Sequence, residues 1–429
     1  MKFNVHKLKK GVQKKIHVPG DKSISHRAVL LGSIAQGTTS IDGFLMGEDC
    51  LSTVNCIREL GIEVNILEPG KLIVKGKGIW GWKEPLNILD AGNSGTTMRL
   101  LMGLLAGQPF HAIIKGDSSL SKRPMGRVVI PLKKMGAKID GRENARRAPL
   151  AIRGQKLHPI DYTSPVPSAQ VKSAIMLASL FAEGWTSINE PLQSRDHTER
   201  MLAAFGADII TNNCQVSIKG YPDLKGQNVF VPGDISSAAF FIVAATVIPD
   251  SEIILSNVGV NPTRTGIIDV LKKMGANITF ANERLELGEP VTDIIVSSGN
   301  LKGVTVEGSD IPRLIDEIPV LTVAAAHAEG RTIIKDAQEL RVKETDRIDA
   351  IVSEMIKLNV DIEPRDDGMV ITGGRKLIGN VVNSQGDHRI GMALAIAGMT
   401  SDGDTTIENT ECVNISFPNF FEIIKELYN

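Results

Sequence analysis

Residues 18–37 read VPGDKSISHRAVLLGSIAQG, and residues 231–250 read VPGDISSAAFFIVAATVIPD. The Val-Pro-Gly-Asp tetrapeptide returns after 213 positions, about half the 429-residue chain, and each time opens a Ser-bearing apolar run. Two similar halves follow from this. Lys22, Ser23, His26 and Arg27 occur only in the first copy, so the shared residues read as scaffold and the unshared polar ones as chemistry.

The echo belongs to a finer repeat, the signal to seek first in any chain. Six times, a run of small apolar residues ends in a turn and a short Thr/Ile-rich strand. The strands begin at Thr38, His111, Thr186, Glu252, Thr332 and Thr405, spaced 73, 75, 66, 80 and 73 residues apart. Between them lie IRELGIEV, LKKMGAKI, LAAFGADI and LKKMGANI, ending at Val64, Ile139, Ile209 and Ile278. Each predicts a helix end, a left-handed Gly and a strand. IKLNVDI, ending at Ile362, puts Asn359 at the Gly position, the next best residue there. A sixth stretch, FFEIIKELYN, has no strand after it. KFNVHKL and KKIHVPG near the N-terminus are expected to supply that pairing and tie both chain ends into one domain.

Composition predicts a packed α/β enzyme of two domains, since 429 residues exceed what one core usually serves. The chain is 42% hydrophobic and 23% charged, ordinary for a globular protein. A net charge of −1 gives no global attraction to nucleic acid or membrane, so anion binding would have to be local. No apolar core follows the N-terminal lysines, and no apolar run reaches membrane-spanning length, so no membrane partner is expected. Cys50, Cys56, Cys214 and Cys412 lack metal-ligand spacing, which predicts reduced thiols, a cytoplasmic location and no metal. Gly76-Lys-Gly-Ile-Trp-Gly81 matches a dinucleotide fingerprint, but Trp82-Lys-Glu-Pro85 follows where a helix is needed. It reads as a turn.

Polar clusters fall at the starts of the six apolar helices: Asp21–Arg27, Gly92–Thr97, Ser168–Lys172, Asp234–Ser237, Arg313–Glu317 and Gly386–Arg389. Two readings stand. Ser, Thr, Asp and Asn are preferred helix caps, and helix N-termini also bind anions. Lys22, Arg27, Arg123, Lys343, Arg347 and Arg389 favour the second, because capping does not need cations. Arg341-Val-Lys-Glu-Thr-Asp-Arg347 taken alone reads as an exposed helix face. Asp316, Glu317 and Glu344 are the carboxylates available for proton transfer on polyanionic substrates. No activated nucleophile is evident.

PGDKSISHR, GNSGTT, SKRPM, SAQVKSA, RLIDEIPVL, RVKETDR and GDHRIGMALAIA, in this order from about residue 18 to 420, resemble the signature stretches of the EPSP synthase family. The resemblance implies an α/β two-domain inside-out barrel of six βαβαββ repeats, three per domain. The first domain would be 20–231 and the second 1–19 with 232–429, with the active site in the interdomain cleft. It further implies enolpyruvyl transfer from phosphoenolpyruvate to the 5-hydroxyl of shikimate 3-phosphate by addition and elimination, with no cofactor, and a chain that works as a monomer. Residue by residue, Ser23, Arg27, Ser168, Ala169, Gln170, Arg195, Asp316 and Lys343 match contacts to shikimate 3-phosphate. Asn93, Gly95, Arg123, Gln170, Arg347, His388 and Arg389 match contacts to phosphoenolpyruvate, with Lys22 between the two. Asp316 matches the hydroxyl base, and Glu344, with Lys22, the group handling the C3 proton.

Ser168-Ala-Gln170, Arg195 with His197, and a Ser416-Phe-Pro418 lacking the usual preceding Lys depart from one branch. They resemble a second bacterial class, and the family implies glyphosate as an inhibitor. The sibling transferase acting on UDP-N-acetylglucosamine typically has a reactive Cys in the loop corresponding to 117–127, where this chain has none. A nucleotide-using cyclase or kinase would need a nucleotide loop that is missing, and a binding-only homologue would not need Lys22, Asp316, Glu344 and Arg389 together.

Overall fold

The computed structural model describes residues 1–428; Asn429, where the sixth helix-end stretch stops, lies outside them. Six long helices carry the apolar runs: Lys22–Ile34, Gly95–Ala106, Ala169–Ser179, Ile235–Val247, Ile318–His327 and His388–Gly398. These core helices have no polar face. Every residue from Ile24 to Ile34, from Ile318 to Ala326 and from His388 to Gly398 is buried. Helices apolar all round belong inside.

Sheets cover them. The strands foreseen at the repeat become Gln36–Asp42, His111–Lys115, Trp185–Asn189, Glu252–Gly259, Arg331–Ile334 and Thr405–Glu408, each paired within one of six sheets. In five of the sheets this strand pairs in parallel with one edge strand and antiparallel with a hairpin. Their strands alternate, as in Arg147–Arg153, where Ala148, Leu150 and Ile152 point inward. One face is therefore packed and the other wet.

The chain forms two compact units. One is Gly20–Val231 with Leu285–Glu289; the other is Met1–Pro19, Pro232–Arg284 and Pro290–Asn429. Nothing in the local sequence signals that Leu285–Glu289, the tip of the hairpin between Asn277–Glu286 and Glu289–Ser297, groups apart from its chain neighbours. Each unit holds three of the six sheets and its own apolar core. Within the Gly20–Val231 unit, Asn228–Phe230 pairs in parallel with Gln36–Asp42, so the end of the third repeat completes the sheet of the first. In the other unit the N-terminal segment plays two parts. Lys2–Val5 pairs antiparallel with Thr405–Glu408, where the sixth repeat lacks its own hairpin, while Gln13–Ile16 pairs in parallel with Glu252–Leu255 of the fourth.

The glycines foreseen at the helix ends are left-handed because the chain must reverse there: Gly61, Gly136, Gly206 and Gly275 have φ of 81°, 100°, 106° and 104°. Asn359 takes the same conformation at 68°. Gly78–Gly81 is a turn closed by Gly81 N–H on Gly78 O at 2.9 Å, not a nucleotide loop. All four cysteines are free thiols. Among the described residues no helix is long and apolar enough to cross a membrane.

Candidate functional site

Five core helices are capped by their own clusters. Asp21, Ser94, Ser168, Asp234 and Asp387 each accept a backbone N–H of the helix they open, so the capping reading holds for these residues. The cations are a separate matter, and each unit places its own set.

In the Gly20–Val231 unit, Lys22 ion-pairs with Asp49 at 2.5 Å. Arg27 is 4% exposed, donating from Nε to Thr198 Oγ1 at 2.6 Å, from Nη2 to Ser173 Oγ at 2.8 Å and from Nη1 to Ser23 O at 3.0 Å. Burial pushes its pKa down to about 10, with Glu199 opposing and Arg195 adding to the fall. Arg123 donates to Asn93 Oδ1 at 2.7 Å. A Cβ on Gly95 would stand 3.7 Å from Arg123 Nη1 and 3.0 Å from Arg99 Nη1, so glycine lets both guanidinium groups approach the second core helix. Gln170 Oε1 accepts from Arg99, and Gln170 Nε2 donates to Thr96 Oγ1 at 3.0 Å. Lys22, Ser23, Asn93, Arg123, Ser168, Ala169, Gln170 and Arg195 are all partly exposed.

Three groups here escaped the sequence reading. Asp49 orients Lys22. Arg99 fixes Gln170. Lys172, 4% exposed, bridges Glu190 at 2.9 Å and Glu199 at 2.8 Å. Glu190 Oε1 in turn accepts the Ser168 N–H at 2.8 Å, so this buried triad holds Ser168 in place. The only signal of Lys172 was its place at the end of the Ser168–Lys172 polar cluster.

In the other unit, Arg347 is 2% exposed and joins three carboxylates: Nε to Asp387 at 2.8 Å, Nη1 to Asp316 at 3.1 Å and Nη2 to Glu344 at 2.7 Å. Its pKa rises above the ordinary arginine value; burial opposes the rise, and Asp387, Glu344 and Asp316 outweigh it. Lys343 Nζ lies 3.4 Å from Asp316, and Arg389 lies 4.0 Å from both Asp316 and Glu317. His388 is 2% exposed at the start of the sixth core helix. Ser236 donates to Glu317, and Arg264 bridges Ser236 Oγ at 2.8 Å and Asp234 at 3.0 Å. Asp387 and Arg264 were not foreseen as partners. Asp387 could have been, because the Asp of Gly386-Asp-His-Arg389 precedes two polar residues on a helix otherwise apolar.

Two expectations are corrected. The 341–347 run is not an exposed helix face: a 3-10 turn covers Gln338–Val342 and the next helix starts only at Arg347, which is buried. Asp346 caps that helix, which stops the charge run from being helical throughout. Arg313, expected among the polar residues opening the fifth core helix, sits in a short separate helix, Asp310–Leu314. It is spent on Pro262 O and Asp269.

One unit thus gathers cations at helix N-termini. The other sets two partly exposed carboxylates, Asp316 and Glu344, on one guanidinium. This is the equipment of a group-transfer enzyme for anionic substrates built on six α/β repeats. The EPSP synthase (3-phosphoshikimate 1-carboxyvinyltransferase) family model matches residues 7–424, and the chain belongs to that family. A Brevibacillus brevis protein named 3-phosphoshikimate 1-carboxyvinyltransferase is 54% identical over 97% of this chain and 98% of its own. One of the same name from Geobacillus kaustophilus is 56% identical over 96% and 97%. A solved EPSP synthase from Acinetobacter baumannii superposes with a TM-score of 0.90 at 45% identity, covering 99% of this chain and 98% of that one.

Proposed function

We propose that this chain transfers the enolpyruvyl group of phosphoenolpyruvate to the 5-hydroxyl of shikimate 3-phosphate. The observation that carries the reading is Arg347 holding Asp316 and Glu344 together, one carboxylate for the hydroxyl proton and one for the C3 proton. Family membership supports the substrate pair.

In this reading Asp316 takes the hydroxyl proton as the oxygen bonds to C2, while Glu344, with Lys22, protonates C3. The tetrahedral adduct then returns a C3 proton to Glu344 as the C2–O bond to phosphate breaks, and the departing phosphate carries off the proton held by Asp316, which yields 5-enolpyruvylshikimate 3-phosphate and inorganic phosphate. Ser23, Arg27, Ser168, Ala169, Gln170, Arg195 and Lys343 bind shikimate 3-phosphate; Ala169, with only a methyl side chain, does so through its backbone. Asn93, Gly95, Arg123, Gln170, Arg347, His388 and Arg389 serve phosphoenolpyruvate. Cations near developing negative charge lower its energy without reorganisation. The chain works as a monomer in the cytoplasm, and glyphosate inhibits it.

Phosphate release from the two substrates, with EDTA present, tests the reading. Release that requires both supports it. Release with UDP-N-acetylglucosamine instead of shikimate 3-phosphate would move the chain to the sibling reaction, and no release with either would refute both.

A further inference from the structure

The first core helix carries a buried residue that the reaction above leaves without work. His26 is 0% exposed, as are Thr53, Ser94 and Thr97. The four form a line across three helices, Lys22–Ile34, Glu48–Glu59 and Gly95–Ala106. His26 Nδ1 lies 2.7 Å from Thr53 Oγ1, and Thr53 Oγ1 lies 2.6 Å from Thr97 Oγ1. Thr97 Oγ1 lies 2.8 Å from Ser94 Oγ and 3.3 Å from the carbonyl of Asp49. Ser94 is the cap of the second core helix, accepting the Thr97 N–H at 3.1 Å.

Each hydroxyl carries one hydrogen, so the chain runs in one direction or the other. With the Thr97 hydrogen on Ser94 Oγ, Thr97 Oγ1 accepts the Thr53 hydroxyl and Thr53 Oγ1 accepts from His26 Nδ1. That direction leaves the partnerless Nε2 a bare lone pair rather than a buried N–H, and on that ground the His26 proton is assigned to Nδ1. Burial pushes the imidazole pKa down to about 3. Asp49 facing it from the second of these helices raises it, while Lys22 and Arg27 on its own helix lower it. The ring stays a neutral, fixed-tautomer donor under working conditions.

We propose that His26 is a positioning residue for the phosphoenolpyruvate end of the site: through Thr53 and Thr97 it sets the turn that carries Asn93 and Gly95. The inference rests on the assignment of that turn in the function proposed above. Apolar side chains would pack the same helices, but a directional relay also fixes the rotation of the second core helix relative to the first. A directional polar chain favours the one arrangement of its helices that keeps its hydrogen bonds made. A misplacement near 1 Å at a site costs up to about a hundredfold in rate.

Thr97→Val, nearly isosteric, and His26→Leu each cut the relay, whereas His26→Asn keeps an N–H donor on the Thr53 side. Thr97→Val and His26→Leu are expected to raise the KM for phosphoenolpyruvate about tenfold, the scale of one hydrogen bond. The KM for shikimate 3-phosphate should stay within about twofold, His26→Asn should restore most of the loss, and the double variant should be no worse than the poorer single one. An unchanged phosphoenolpyruvate KM, an equal rise in both KM values, or additive losses would overturn the inference. Hydrogen exchange of the Gly95–Thr97 amides reads the same relay without turnover. Faster exchange in both cut variants supports it and unchanged exchange refutes it, even if the wild-type chain fails the phosphate-release assay and the function reading falls.

Discussion

Lys172→Met should cost more than any surface charge of this chain, and the structure gives the reason. The ammonium has three protons and three acceptors: Glu190 at 2.9 Å, Glu199 at 2.8 Å and the Ser194 carbonyl at 3.3 Å. The side chains of all three ionic partners are at most 6% exposed. Methionine fills the space but leaves two carboxylates in the core. Glu190 still accepts from Ser168 N, Ser194 N and Ser194 Oγ. Glu199 Oε2 has no hydrogen-bond partner, and burial already raises the Glu199 pKa against the opposing pull of Lys172. Without that pull Glu199 must take up a proton or stay charged and dry. Breaking such a buried set typically costs about 3–5 kcal/mol, or about 8–15 °C in Tm for a unit of this size.

The pH dependence has a definite sign. A carboxyl whose folded pKa lies above its unfolded value contributes stability below the unfolded value, near 4.3, and loses it as pH rises to the folded one. The variant should therefore be least stable relative to wild type at pH 8 and recover toward pH 5, by up to about 1.4 kcal/mol per unit. Trp80, Trp82 and Trp185 all lie in the Gly20–Val231 unit, so tryptophan fluorescence during urea unfolding reports on the unit concerned. A loss below about 1 kcal/mol at pH 8, well under the expected range, would refute the argument, as would a deficit that deepens on acidification.

Three further outcomes are expected. Glu344→Gln should lower kcat at least about a thousandfold, general acid–base catalysis being worth about 10²–10⁴, with shikimate 3-phosphate binding by calorimetry nearly unchanged; wild-type turnover would end the role given to Glu344. Arg27→Ala should raise the KM for shikimate 3-phosphate about 30-fold or more through a lost charge-assisted bond, and an equal rise for phosphoenolpyruvate would contradict its placement. Gly103→Ala should destabilise by about 1–3 kcal/mol in thermal melts, because the added Cβ would stand 2.3 Å from Ala174 O on the neighbouring core helix; an unchanged Tm would mean that the two helices do not meet at Gly103.

What the sequence disclosed and what it hid follow one physical division. Requirements met within a few residues were legible. Left-handed helix ends call for Gly or Asn, and they stand at 61, 136, 206, 275 and 359. Helices without a polar face must be inside, which located the six core helices. Pairings across elements were not legible, because composition shows that a charge exists but not what neutralises it. Arg313 and Arg341 look as available in the sequence as Arg123, yet Arg313 is held by Asp269, and Arg341 by Asp346 and Asp349. Lys172 stood in the sequence only as the end of a polar cluster and proves to be the centre of a buried triad. The N-terminal clusters show the same division in one place, since a cap and an anion site call for the same residues. Asp21 and Ser94 do the capping through bonds to Ile24 N and Thr97 N, leaving the neighbouring Lys22 and Arg123 outside that task. A polar cluster at a buried helix start is thus informative through the residues that its cap does not use.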